Sequence, residues 1–215
     1  MKKYAVIPDL HERWDLLNQA RRLHQQGYKL IFLADYVDSY EAKGDGIQFL
    51  LAVIDLIIEN QSIALWGNHD VQYIGGSHLR CSGYQESLAT VLKITFESNK
   101  HLFTNIFVCE ETKSIFSHAG LSSNYLAALE ENYGLTSLED VVYLTNQNVK
   151  EVFYISAYND GSDPFDGPLW LRPYLYTQEV FKDYTQYVGH VYNECVRQYK
   201  NMLVLDTGKP FLIEK

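Results

Sequence analysis

The chain is short of cysteine, of basic runs and of long apolar runs, and each shortage removes a class of function. Its three cysteines, Cys81, Cys109 and Cys195, lie far apart and form no CxxC pair, so neither a zinc ribbon nor a disulfide framework is expected. Scattered thiols of this kind suit a reducing cytosol. Lys and Arg total 18 against 27 Asp and Glu, a net charge of −9. With no basic stripe to track a phosphate backbone, strong nucleic-acid binding is not expected. The most apolar stretch, residues 47–58, is too short to span a bilayer and contains Asp55. The opening residues lack the apolar core of a signal peptide. Internal repeats and low-complexity linkers are also missing. The expectation is a cytoplasmic protein without membrane association.

What is present suits a layered fold. The 215 residues, 47% of them apolar, are enough for one sizeable domain over 1–215 with a buried core. The 17 tyrosines are read as half-buried packing residues, ring inside and hydroxyl outside. Residues 4–7 form an apolar run. Residues 12–26 carry Trp14, Leu16, Leu17, Ala20 and Leu23 at helical spacing, with Gly27 placed to end the helix. A second apolar strand is expected over 29–34, a helix over 46–60 and a third strand over 62–66. This β-α-β-α-β order predicts parallel strands joined by crossover helices. Beyond it, helices are expected at 86–98, 124–132 and 138–143. Further strands are expected at 105–109, 114–117, 187–191, 194–199 and 202–205. Residues 159–173, with three prolines and two glycines, read as a connecting or functional loop.

Chemistry-bearing residues fall at the ends of these strands. Asp9 and His11 follow the first, Asp35 and Asp38 the second, and Asn68, His69 and Asp70 the third; His118 and His190 end two later strands. In open α/β sheets, ligands gather at the carboxyl ends of strands. Residues two apart in an extended segment point the same way, so Asp9 and His11 can share an ion. Asp35 offers two oxygens and can bridge two ions. Asn68 can supply a neutral oxygen, and His118 and His190 imidazole nitrogens. Such a mixed nitrogen and oxygen set suits manganese, iron, zinc or nickel better than calcium. Each motif alone is weak; their joint order is what carries the reading.

Pro8-Asp9-Leu10-His11 resembles a GDxHG block, and Ala34-Asp35-Tyr36-Val37-Asp38-Ser39-Tyr40 resembles GDYVDRG. Gly67-Asn68-His69-Asp70 resembles GNHE or GNHD, Ser117-His118-Ala119-Gly120-Leu121 an HAG block, and Gly189-His190-Val191 a GHT block. Together they resemble the calcineurin-like metallophosphoesterases. Within that superfamily the sequence is most similar to the serine/threonine phosphatase branch, with its bacteriophage-type phosphatases and diadenosine tetraphosphate hydrolases. The resemblance implies an α/β fold, a four-layer α-β-β-α sandwich with two central mixed sheets flanked by helices. It implies two divalent ions, manganese foremost, one held by Asp9, His11 and Asp35 and the other by Asp35, Asn68, His118 and His190. The implied reaction is hydrolysis of a phosphate ester by a hydroxide that the two metals generate. His69 is then the acid for the leaving oxygen, with Asp38 as its carboxylate partner. Arg172, in Pro168-Leu169-Trp170-Leu171-Arg172-Pro173, resembles the block whose arginine holds phosphate oxygens.

The departures bear on substrate. Ala34 and Pro8 stand where glycines are usual. Ser39 and Trp66 stand where the protein phosphatases carry arginines that grip a terminal phosphate; Arg80 is a candidate substitute. The leading expectation is a phosphomonoester, either a phosphorylated protein or a small phosphoester. The rival is a phosphodiester or dinucleoside polyphosphate, which needs fewer arginines. A non-catalytic binding module that kept the fold ranks low, because every metal position is filled.

Overall fold

The structure, a computed structural model, describes residues 3–39, 45–76, 80–135, 137–148, 150–153, 163 and 165–214. Tyr40, and residues 159–162 and 164 of the expected 159–173 loop, lie outside the described residues. Among those described, ten strands follow in order: β1 (Lys3–Ile7), β2 (Lys29–Phe32), β3 (Ile63–Leu65), β4 (Phe103–Thr104), β5 (Ile106–Cys109), β6 (Ser114–Ser117), β7 (Thr185–Val188), β8 (Arg197–Tyr199), β9 (Met202–Val204) and β10 (Phe211–Glu214). The α-helices are α1 (Trp14–Gln25), α2 (Gly46–Asn60), α3 (Asn68–Val71), α4 (Ala89–Asn99), α5 (Ser123–Tyr133) and α6 (Leu138–Asn146). They make two mixed, helix-flanked sheets of five strands each, in two compact units, 1–103 with 208–215, and 104–207. No helix among the described residues is long and apolar enough to cross a membrane.

In the first unit the sheet order is β10-β1-β2-β3-β4. β1, β2 and β3 run parallel, with Val6 opposite Ile31 and Ile31 opposite Ile63. Beyond Lys3, Lys29 and Ile63 at their starts, their residues are buried, which is why they read as continuous apolar runs rather than alternating ones. Helix α1 turns Leu16, Leu17 and Ala20 inward. It stops where Gly27, at φ +87°, lets Tyr28 N–H reach the Leu23 carbonyl at 3.1 Å and its own N–H reach that of His24 at 2.8 Å. That is the double bond pattern of a glycine-terminated helix. Helix α2 buries Phe49, Leu50, Val53, Ile54, Leu56 and Ile57 and ends at Gln61, which adopts φ +48°.

The second unit has the order β5-β6-β7-β9-β8. β5 and β6 form an antiparallel pair, β6, β7 and β9 run parallel, and β8 returns antiparallel on β9. Its core joins Ile106 and Ile115 of the sheet to Tyr125 and Leu129 of α5, Val141 of α6, and Val188, Met202 and Val204. Ser122 and Ser137 start α5 and α6 by accepting the N–H groups of Tyr125 and Asp140 at 3.0 and 3.1 Å, the usual role of a serine at a helix start.

Three sequence expectations shift. The strand expected at 187–191 is Thr185–Val188, and His190, at φ +66°, leaves extended geometry. The strand expected at 194–199 shrinks to Arg197–Tyr199. The closing strand β10, antiparallel to β1, was not anticipated.

Gln61 is exposed and pays the steric cost that left-handed backbone imposes on a side chain. Gln61→Gly is expected to stabilise the protein by about 1 kcal/mol, raising the thermal midpoint by roughly 2–4 °C in a calorimetric scan.

Candidate metal centre

The carboxyl ends of β1, β2 and β3 lie along one edge of the first sheet, and the loops that leave them are laced together. The N–H groups of Leu10 and His11 both donate to the Asp35 carbonyl, at 3.1 and 2.7 Å. The Arg13 guanidinium donates to the backbone carbonyls of Asp9 and Leu10. Asp70, fully buried, accepts the N–H of Asp35 at 2.9 Å, of Tyr36 at 2.9 Å and of Gly67 at 3.1 Å. Burial and the neighbouring Asp35 charge push the Asp70 carboxyl up, while the N–H groups of Tyr36 and Gly67 pull it down.

These loops bring together the residues expected from the first half of the chain. Asp9 and Asp35 are both buried, with carboxylate oxygens within 4.8 Å of each other. Ligand atoms of His11, Asp35 and His69 also fall within 4.8 Å of one another. His11 Nδ1 donates to the Val37 carbonyl at 3.0 Å, so its Nε2, 3.6 Å from Asp35 Oδ2, keeps a lone pair. Asn68 turns its amide nitrogen to Cys81 Sγ at 3.4 Å. His69 N–H donates to Asp35 Oδ1 at 3.2 Å, and His69 Nδ1 bonds Asp38 Oδ2 at 3.0 Å.

His11 and His69 touch edge to face with ring centroids 4.8 Å apart, yet their environments push them opposite ways. Burial lowers the His11 pKa and outweighs the pull of Asp35. Burial also works against charge on His69, but Asp35 and the bond to Asp38 win and raise it. An imidazole pushed toward its neutral form beside one pushed toward its protonated form is the separation that suits a metal ligand next to an acid.

In the second unit, His118 follows β6 and His190 lies two residues beyond β7. His190 Nε2 donates to the Trp170 carbonyl at 3.1 Å, and its Nδ1 faces His118 Nε2 at 3.1 Å. Two imidazoles that bind one ion side by side, each at about 2.1 Å, place their nitrogens roughly 3 Å apart. Arg172, half-buried, follows the Trp170 whose carbonyl fixes His190, and opens the turn Pro173–Leu175.

This donor chemistry fits divalent ions. Buried carboxylates need compensating positive charge. His11 and His190 each commit one nitrogen to a backbone carbonyl, the arrangement that fixes a ligand histidine's tautomer. Of the eleven non-glycine residues with positive φ among those described, His11, Glu12, Ala34, Asp35, Asp38 and His190 belong to these loops, as strain gathered at a working site would have it.

The rest of the chain's likenesses accord with this geometry. Residues 2–192 match the family profile of the calcineurin-like phosphoesterases. The chain belongs to that family. As a calcineurin-like phosphoesterase it is a metallophosphoesterase, an enzyme that hydrolyses phosphoesters. No curated protein matches it. Among solved structures, a cold-active protein-tyrosine phosphatase of a psychrophilic Shewanella species is 16% identical, with a TM-score of 0.63 over 100% of this chain and 76% of that one. A protein serine/threonine phosphatase from Saccharomyces cerevisiae is 12% identical, with a TM-score of 0.57 over 94% of this chain and 66% of that one. At these identities the likeness shows the fold.

Sequence reasoning missed the residues that hold this phosphoesterase's site chains in place. Asp38 accepts from the Gln72 amide and the Tyr73 hydroxyl as well as from His69. Burial pushes the Tyr73 phenol up, and Asp38 adds to the shift, so it remains a donor. The available signal was spacing: Gln72 and Tyr73 stand three and four residues after His69, on the same helical side. Arg80, the candidate substitute for the missing arginines, is exposed, pairs with Glu86 and lies over the Tyr84 ring at 4.7 Å.

Gly67 marks the closest approach in the site. A Cβ there would overlap Asp35 Oδ1 and lie 2.8 Å from the Asp35 nitrogen. Gly67→Ala is therefore expected to displace Asp35 and weaken metal binding by about 10–100-fold, measured by titrating manganese into the apoprotein.

Proposed function

We propose that this enzyme is a phosphomonoesterase acting on the phosphate ester of an alcohol, with a phosphorylated protein or a small phosphoester as substrate. The observation that carries the reading is the buried pair of His69 and Asp38, joined at 3.0 Å beside Asp35. An alkoxide is a poor leaving group and needs a proton as the P–O bond breaks, whereas a phosphate leaving group does not. A positioned acid therefore favours an alcohol ester over a phosphoanhydride.

In this reading Asp9, His11, Asp35 and Asn68 of the first unit, and His118 and His190 of the second, are the metal ligands. When bound, two divalent ions, manganese first with iron, zinc or nickel as alternatives, supply Lewis acidity toward phosphoryl oxygens and water. Asp38 holds His69 Nδ1–H, so the second proton, on Nε2, is the one delivered to the leaving oxygen. Arg172 pairs with phosphate oxygens through its planar fork of donors. Both solved neighbours named above are protein phosphatases by name, which supports phosphoprotein as a substrate class to test.

A second reading, a phosphodiester substrate, rests on Trp66. It occupies the position of a phosphate-gripping arginine in the protein phosphatases, and here it is buried against Phe96 and Phe103, with centroids 5.6 and 4.5 Å away. A diester carries one negative charge and does without that arginine.

Manganese-loaded enzyme is expected to hydrolyse nitrophenyl phosphate faster than the bis-nitrophenyl ester, and a chelator should abolish both activities. Preference for the bis-ester would hand the substrate assignment to the diesterase reading. Asp35→Ala should remove bound metal and activity together. His69→Ala should keep its metal and lose about 10²–10⁴-fold in turnover of an alkyl phosphate. Full turnover of that ester by His69→Ala would remove the acid assignment.

A further inference from the structure

Asp38 is fully buried, and both of its oxygens are engaged. Oδ2 takes His69 Nδ1 at 3.0 Å together with the Gln72 amide, and Oδ1 takes the Tyr73 hydroxyl. Each of these donors is anchored in turn. Gln72 Nε2 also donates to the His69 carbonyl at 2.9 Å, and Gln72 Oε1 accepts the Cys81 N–H at 2.8 Å. The Tyr73 oxygen accepts the Gln85 N–H at 2.8 Å, and the ring stacks on Tyr84 with centroids 4.9 Å apart.

A carboxylate by itself is a poor director. Its two oxygens are equivalent, and it turns about the Cβ–Cγ bond, so a histidine partner can follow it through several orientations. With a phenol on one oxygen and a carboxamide on the other, the carboxylate plane is set. One lone-pair direction is left for His69 Nδ1–H. Gln72 also grips the His69 backbone, so imidazole and carboxylate are referenced to the same side chain.

We infer that Gln72 and Tyr73 are positioning residues for proton delivery: they fix Asp38, which aims the Nε2–H of His69 at the leaving oxygen. The inference rests on His69 being the acid. They touch neither substrate nor reacting atoms, and their effect scales with how much the reaction needs the proton. A group misaimed by an ångström loses most of its effect on a poor leaving group and little on a good one.

The test compares kcat/KM for phenyl phosphate, a poor leaving group, with nitrophenyl phosphate, a good one, in manganese-loaded full-length protein, alongside metal content and thermal midpoint. Tyr73→Phe is expected to lose about tenfold on phenyl phosphate and about twofold on the nitrophenyl ester, with metal content unchanged. Introduced into His69→Ala, the same change should cost nothing further, because residues that act as a unit are not additive. Gln72→Met should repeat the pattern and decides the matter if Tyr73→Phe loses its fold. Equal losses on both esters, or a Tyr73→Phe loss that persists in the His69→Ala background, would overturn the inference. The two readings separate cleanly: a leaving-group bias in His69→Ala that is missing in Tyr73→Phe removes only the positioning role. No bias in His69→Ala removes the acid and the positioning role with it.

Discussion

Everything at the first sheet's edge depends on one buried carboxylate. Asp70 gathers the backbone N–H groups of Asp35, Tyr36 and Gly67, and so ties the loop after β2 to the loop after β3. Burying a charged carboxylate is costly and pushes Asp70 well up, and the three backbone N–H bonds offset part of that cost. The same bonds hold Asp35 and Asn68 at the rim. Tyr36, fully buried, adds a second tie by donating from its hydroxyl to the Leu65 carbonyl at 2.8 Å. The loops are therefore fixed by groups that need never touch a metal or a substrate.

The two carboxylates Asp38 and Asp70 show how similar side chains take different work from their surroundings. Asp70 meets only backbone donors and acts as a staple. Asp38 meets side-chain donors and an imidazole, and so sits within a side-chain network. Ala34 illustrates a cost of the arrangement. Its backbone at φ +94° is one that glycine adopts freely and alanine does not, yet the surrounding bonds hold it there.

Much of this was legible in the sequence. The first 66 residues alternate between short apolar runs and 3.6-residue periodicity with a glycine stop, and the observed strands and helices follow that pattern closely. The placement of Asp9, Asp35 and Asn68 at strand ends followed from the same pattern, because chemistry in such sheets collects there. Pairing over long range left no such trace. β10 owes its existence to residues 3–6, about the whole chain away, and nothing local in its four residues announces it. The strand before His190 ends early because the backbone bends at a residue whose φ no composition reveals. The donors to Asp38 were hidden for another reason: glutamine and tyrosine in a short helical turn are ordinary surface residues until the fold buries them.

The pairing of β1 with β10 also sets an order in time. Lys3 faces Glu214 and Val6 faces Phe211, so the strand that leads into Asp9 and His11 is made roughly 200 residues before its edge partner. At roughly 5–20 residues per second, the gap between them is on the order of 10–40 s on a ribosome. Throughout that interval one edge of β1 has no partner and is open to other chains, the situation that draws chaperones and invites aggregation. The first unit's sheet reaches its full width only once residues 211–214 have been made.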